Sequence, residues 1–207
     1  MSWFGIGELV PNAWLPVGAD AEVSARRRTL SGVPRLAFDP IRRAAVLWER
    51  RWGRASSPQS MAAATSVMRV QQLLLADFDT ALAPLDLTFA RFECLVLLTF
   101  ARDGRLPMTT VGERLMIHPT SATHIVQKLA AQGLVERIRN PEDGRGVLAV
   151  LTPAGREAAE AGIAVLVERG FGLGGLTGQE RVQLFGLLEK VRLGHGDFGL
   201  ATQATQP

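Results

Sequence analysis

From Asp39 onward, apolar residues recur every three or four positions in runs separated by short stretches of Pro, Gly and Asp. That rhythm predicts amphipathic helices with defined stops. Asp39 is placed to cap a helix that Pro40 opens, with Ile41, Ala44, Ala45, Trp48 and Trp52 at helical spacing until Gly53. After Ser56-Ser57-Pro58 a longer helix is expected from about Ser60 to Ala83, with Val67, Val70, Leu74, Phe78 and Leu82 on one stripe and Pro84 at its end. Thr88 then caps a helix bearing Phe89, Phe92, Leu95, Val96 and Phe100, which stops near Asp103-Gly104.

The middle of the chain changes character. Thr110 and Glu113 have the spacing of a capping box, so a two-turn helix is expected from Thr110 to Met116. His118-Pro119 opens the next helix, with Ala122, Ile125, Val126 and Leu129 on one face. Thr120, His124, Gln127 and Ala131 fall on the opposite face, with Ser121, Thr123 and Lys128 on its shoulders, and Gly133 ends the helix. Two strand-like runs follow, Leu134 to Arg139 and Gly146 to Leu151, joined through Asn140-Pro141-Glu142-Asp143-Gly144-Arg145. Pro, Asp and Gly in that link predict a hairpin with Arg145 at or beside its tip. Thr152-Pro153 starts a helix on which Ala154, Ala158, Ala161 and Val165 lie together, side chains small enough for another helix to come close. Gly170 to Gly175 breaks it. Thr177 and Glu180 form a second capping box before a last helix with Leu184, Leu187, Leu188 and Val191 on one side.

The fold class expected from this order is mainly α with a small β-wing: a winged helix-turn-helix embedded between dimerisation helices. Residues 1–38 lack a sustained period and read as an extended or poorly ordered arm. Residues 39–86 are expected to form N-terminal dimerisation helices, 87–151 the winged helix-turn-helix module, 152–194 C-terminal dimerisation helices and 195–207 a flexible tail.

Composition narrows the function classes. The chain has 207 residues, 47% of them hydrophobic, which suits a soluble globular protein with one sizeable core. Its formal charge is +3, and of its basic residues only Lys128 and Lys190 are lysines. Arginine's planar fork of donors suits phosphate and guanine, in agreement with a nucleic-acid partner. Nine arginines but only two acidic residues lie between Arg26 and Arg54, a solvated face or an auxiliary phosphate-binding surface. Cys94 is the single cysteine, so neither an intramolecular disulfide nor a cysteine-based zinc site is expected. No apolar run approaches the ~20 residues that span a bilayer, and no leader opens the chain, so a cytoplasmic location without membrane contact is expected. His118, His124 and His195 do not form a metal set, and no nucleophile triad, phosphate loop or carboxylate pair stands out. Neither metal, cofactor nor catalysis is expected.

A helix enters the major groove only if its outward face is polar and unhindered, and its first turn adds N–H groups and a dipole for phosphate. Thr120 to Lys128 meets both demands. Serine and threonine hydroxyls donate or accept, Gln127 has the bidentate amide that matches adenine, and Lys128 suits phosphate or guanine. The expected DNA contacts are therefore Thr109, Pro119, Thr120, Ser121, Thr123, His124, Gln127 and Lys128, with Arg137, Arg139, Asp143 and Arg145 in the wing. Arg145 is placed as arginines are that enter the narrow minor groove.

The runs Leu87-Thr88-Phe89-Ala90-Arg91-Phe92-Glu93-Cys94-Leu95-Val96-Leu97-Leu98, His118-Pro119-Thr120-Ser121-Ala122-Thr123, Leu129-Ala130-Ala131-Gln132-Gly133-Leu134-Val135, Asp143-Gly144-Arg145 and Leu151-Thr152-Pro153-Ala154-Gly155-Arg156 together resemble the MarR family of bacterial transcription regulators. The likeness covers roughly Met61 to Val191. It implies a homodimer with interlocked N- and C-terminal helices, whose two winged modules grip successive major grooves of a pseudo-palindromic operator. It further implies that Arg145 enters the minor groove and that Asp143 steadies the wing. A repressor relieved by a small, often aromatic, effector is the expected mode, with Trp48, Trp52, Phe78 and Phe92 either lining the effector cleft or packing in the core. Two alternatives remain: a redox-responsive regulator acting through Cys94, and a winged-helix protein-interaction module without DNA specificity. Residues 1 to about 55 exceed the usual family length, and an added helix at Ile41 to Trp52 would reinforce the dimer.

Overall fold

The computed structural model of the chain describes residues 36–141 and 146–199. Within them the order is α1 (Pro40–Trp52), α2 (Pro58–Leu82), α3 (Phe89–Phe100), β1 (Arg105–Pro107), α4 (Met108–Arg114), α5 (Pro119–Ala131), β2 (Val135–Arg139), β3 (Val147–Leu151), α6 (Pro153–Glu168) and α7 (Gly178–Gly194). The expected class, helices around a small wing, is the one observed. Most of the arm expected over residues 1–38, and most of the tail after Gly194, fall outside the described residues.

Local signals explain most of the helix ends. The Asp39 carboxylate accepts from the N–H groups of Ile41 (2.9 Å) and Arg42 (3.2 Å), and Gly53 closes α1 at φ 78°. Thr88 Oγ1 accepts from the Arg91 N–H, capping α3. Thr177 and Glu180 complete the expected capping box on α7. The caps at Asp39, Thr88 and Thr177 each use a side-chain oxygen for an N–H that the first helical turn leaves without a partner.

Three elements depart from the sequence reading. The first is β1, which was not expected: Arg105, Leu106 and Pro107 pair with Val150, Ala149 and Leu148, giving an antiparallel sheet in the order β1-β3-β2. The second follows from it. Because Pro107 ends the strand and immediately precedes Met108, α4 starts two residues early, Thr110 already lies inside the first turn, and no side-chain cap forms. The expected Thr110–Glu113 capping box is therefore corrected. The third is the phase of α6. Its buried face is Gly155, Ala159, Gly162 and Leu166, one position on from the expected Ala154, Ala158, Ala161 and Val165. Glycine decides the phase: a Cβ on Gly162 would stand 2.6 Å from the Phe92 ring, so only a glycine lets α6 approach α3 there.

The core gathers Leu82 of α2, Phe92, Leu95 and Leu98 of α3, Val111 of α4, Val126 and Leu129 of α5, Val135 and Ala149 of the sheet, and Ala159 and Leu166 of α6. Only the end of α2 joins it, through Phe78, Ala81 and Leu82. The earlier half of α2 leaves Val67, Met68 and Val70 exposed, and α7 has no buried residue, exposing Val182, Phe185, Leu187 and Val191. Helix α1 packs on α2, with the Trp48 indole N–H donating to the Ser56 carbonyl (3.1 Å).

Candidate nucleic-acid interface

The site is built from α4, α5 and the β2–β3 hairpin. Helices α4 and α5 meet through a short turn in which Met116 takes φ 51° and the Ile117 N–H donates to the Gly112 carbonyl (3.0 Å). His118 caps α5 as expected: its Nδ1 accepts from the Thr120 N–H at 3.3 Å, and Pro119 occupies the first turn. Ala122, Val126 and Leu129 are fully buried and Ile125 half-buried, anchoring α5 by one face.

Anchoring by that face leaves the other one open. Pro119, Thr120, Ser121, His124, Gln127 and Lys128 are all exposed on α5, and Thr109 is exposed on α4. Thr123 differs. It is half-buried, and its hydroxyl donates to the Pro119 carbonyl at 2.9 Å, so its oxygen braces the first turn of its own helix. Arg137 and Arg139 are exposed on β2, opposite Ala149 and Val147 of β3. The Asn140 N–H donates to the Gly146 carbonyl (2.9 Å), continuing the hairpin beyond the strands. Asp143 and Arg145 lie outside the described residues.

The four aromatic residues expected either at an effector cleft or in the core divide into two groups. Phe78 and Phe92 are buried, linked through Phe89 by ring-centroid distances of 4.8 Å and 6.2 Å. Trp48 and Trp52 pair with each other on α1 at 4.7 Å, Trp48 half-buried and Trp52 exposed.

Cys94 is fully buried, and burial, reinforced by the neighbouring Glu93 charge, pushes its thiol up to about 12. Because the thiolate is the reactive form, this environment argues against oxidant sensing. Glu93 was not singled out by sequence reasoning, although an acid within an otherwise apolar helical run is a readable outlier. It is buried in α3, its Oε1 has no hydrogen-bond partner, and burial raises its carboxyl to about 7. Among the described residues no group of three or more His, Cys, Asp or Glu side chains is arranged to hold a metal, and no helix is long and apolar enough to cross a membrane.

Comparison with known proteins places this geometry. The model of the MarR family matches residues 85–146, from the turn before α3 to the wing. The multiple antibiotic resistance protein MarR of Salmonella typhimurium is 34% identical over 79 residues, 38% of this chain and 54% of that protein. The match thus spans about half the length of that curated relative. Among solved structures, Sco5413, a MarR family transcriptional regulator from Streptomyces coelicolor, is 48% identical with a TM-score of 0.64, over 69% of this chain and 99% of that one. A cysteine-to-serine variant of Escherichia coli MarR complexed with operator DNA is 26% identical with a TM-score of 0.58, over 70% of this chain and 97% of that one. With a relative of 48% identity matched along nearly its whole length, and with a helix-turn-helix and wing in the same order, the chain belongs to the MarR family of transcriptional regulators.

Proposed function

We propose that the chain is a homodimeric, sequence-specific binder of duplex DNA that represses transcription until a small molecule relaxes its grip. The observation that carries this reading is the open flank of α5: Thr120, Ser121, His124, Gln127 and Lys128 are exposed while Ala122, Val126 and Leu129 hold the helix from behind. An outward row of hydroxyl, amide, imidazole and ammonium groups is matched to base edges and phosphates. Arg137 and Arg139 on the wing strand add phosphate contacts, and Arg145 is the side chain for the minor groove. In this reading Thr123 acts through the backbone it braces and Thr109 contacts a phosphate beside the groove.

Dimerisation is supported by the apolar side chains left exposed on the first half of α2 and along α7, surface that a lone protomer leaves wet. A twofold dimer calls for a pseudo-palindromic operator with half-sites about one turn, roughly 10 bp, apart. The effector is a small aromatic molecule. Trp48 and Trp52, the two of the four aromatic candidates that reach the surface, are its first contacts to test.

The deciding experiment is a fluorescence anisotropy titration of the full chain against duplexes it selects from a random library. Arg145→Ala is expected to weaken binding by about 1–3 kcal/mol with the dimer intact, and Lys128→Glu to weaken it further. Undiminished affinity in both variants overturns the assignment of the wing and of the α5 flank as the DNA contacts, whereas a parent chain that selects and binds no duplex overturns the DNA reading and leaves a protein-interaction module in its place.

A further inference from the structure

The end of the recognition helix α5 carries contacts that groove binding does not use. Gly133 takes φ 71°, its N–H donates to the Ala130 carbonyl (3.0 Å), and the Leu134 N–H donates to the Leu129 carbonyl (3.0 Å), which closes the helix in a tight left-handed turn. Gln132 reaches away from this turn. Its Oε1 accepts from Arg91 Nη1 at 3.1 Å, and its Nε2 donates to the Asp86 carbonyl at 2.8 Å and to Asp86 Oδ2 at 2.7 Å. A carboxamide nitrogen has two protons, so both are engaged and the amide is held in one orientation. Asp86 sits at φ 51° between the end of α2 and the Thr88 cap of α3.

The same turn is gripped from the other side. Thr152, the cap of α6, donates its hydroxyl to the Gly133 carbonyl (2.9 Å) and its N–H to the Leu134 carbonyl (3.2 Å), while its Oγ1 accepts from the Gly155 N–H (3.0 Å). A Cβ on Gly155 would collide with the Leu134 carbonyl, so α6 sits as close to the turn as a backbone allows. Residues 132–134 thus join the end of the recognition helix to α3 and the turn before it through Gln132, and to the start of α6 through Gly133 and Leu134. The apolar face of α5 resists its separation from the core but is non-directional. Hydrogen bonds at the helix end are directional and fix its pose.

We infer that Gln132 is a positioning residue that sets the pose of α5 against α3 and the turn that follows α2, and through it the separation of the two recognition helices across a dimer on DNA. This rests on the proposed function, and it assigns a role to the Gln132-Gly133-Leu134 and Thr152-Pro153-Ala154-Gly155 segments that base and phosphate contacts leave unexplained. Gln132→Leu keeps the side chain's bulk and deletes all three bonds. Gln132→Glu sets a carboxylate against the carboxylate and carbonyl of Asp86, and Asp86→Asn restores a donor facing it.

The test uses the full chain, the duplex it selects from a random library, versions of that duplex with one base pair inserted or removed between half-sites, and a single half-site duplex. One base pair displaces a half-site by about a tenth of the ~34 Å helical turn and rotates it, so the parent chain is expected to lose roughly tenfold or more in affinity. Gln132→Leu is expected to lose less than about threefold on the same change, with half-site affinity and thermal midpoint close to the parent's. Gln132→Glu is expected to flatten the profile likewise, and Asp86→Asn/Gln132→Glu to return the parent's preference. Identical spacing profiles for the parent and Gln132→Leu, or no return in the double variant, overturn the joint alone. A parent chain that binds no duplex overturns the regulator reading and the joint with it.

Discussion

At the residue scale the departures from expectation are the most instructive. Glu93 pays for its place in α3 by keeping its proton. A carboxyl raised by burial from 4.5 to about 7 stays neutral in the folded chain over a range in which the unfolded chain has already ionised. Between those two values each rise in pH favours unfolding, by up to about 1.4 kcal/mol per unit. The penalty is absent well below pH 4.5, grows as pH climbs towards 7, and is complete above it. Glu93→Gln removes the ionisation and keeps the shape. Its stability relative to the parent is expected to improve by about 3 kcal/mol between pH 4.5 and pH 8, read from urea denaturation at both values. A constant gap across that range contradicts the assignment.

Thr123 and His118 show at the same scale what one sequence discloses. The His118-Pro119 start of α5 was readable because capping is a local bargain between neighbours, and Nδ1 of His118 makes the expected bond. Thr123 is expected on the groove flank, and its hydroxyl donates its proton to the Pro119 carbonyl one turn back. Periodicity places a side chain on a flank. Which partner its oxygen chooses depends on rotamer and depth, and neither is written in the spacing.

At the element scale, legibility fails where pairing partners are distant in sequence. Strand β1 is three residues long, ends in a proline, and exists because Leu106 meets Ala149 of β3. Nothing in Arg105-Leu106-Pro107 alone announces it, and overlooking it also displaced the start of α4. Helix α6 shows the complementary case: its period was correct and its phase was not, because the alanines and glycines on adjacent faces are nearly equivalent in hydrophobicity. Close approach to Phe92 breaks the tie. Gly162→Ala places a methyl group 2.6 Å and 2.7 Å from two carbons of a fully buried ring that has nowhere to swing. Alanine gains about 0.8–1.0 kcal/mol in helix propensity over glycine, against roughly 1–3 kcal/mol for overpacking a dense core. Overpacking is expected to win. The variant should melt several degrees below the parent by circular dichroism, and a higher melting temperature would show that α3 and α6 separate at little cost.

At the scale of the whole molecule, the core and the exposed apolar surface are separated along the chain. The end of α2 closes over the winged module, whereas its earlier half and all of α7 hold Val67, Met68, Val70, Val182, Phe185, Leu187 and Val191 in contact with water. If these surfaces meet in a twofold pair, a charge at Leu187 is buried without a partner in both protomers at once. Leu187→Glu is therefore expected to shift sedimentation from dimer to monomer at micromolar concentration, with helix content retained because the side chain supports nothing within its own chain. Assembly and DNA affinity then have to fall together. A dimer that neutralises about six to ten phosphates loses log affinity against log salt with a slope on the order of −5 to −9. A monomer presenting one module should show about half that slope and a far weaker intercept. Titrations of the parent and Leu187→Glu at four or five salt concentrations separate the two cases. Parallel lines would mean that one module makes all the phosphate contacts, so the exposed faces of α2 and α7 would have to serve a different partner.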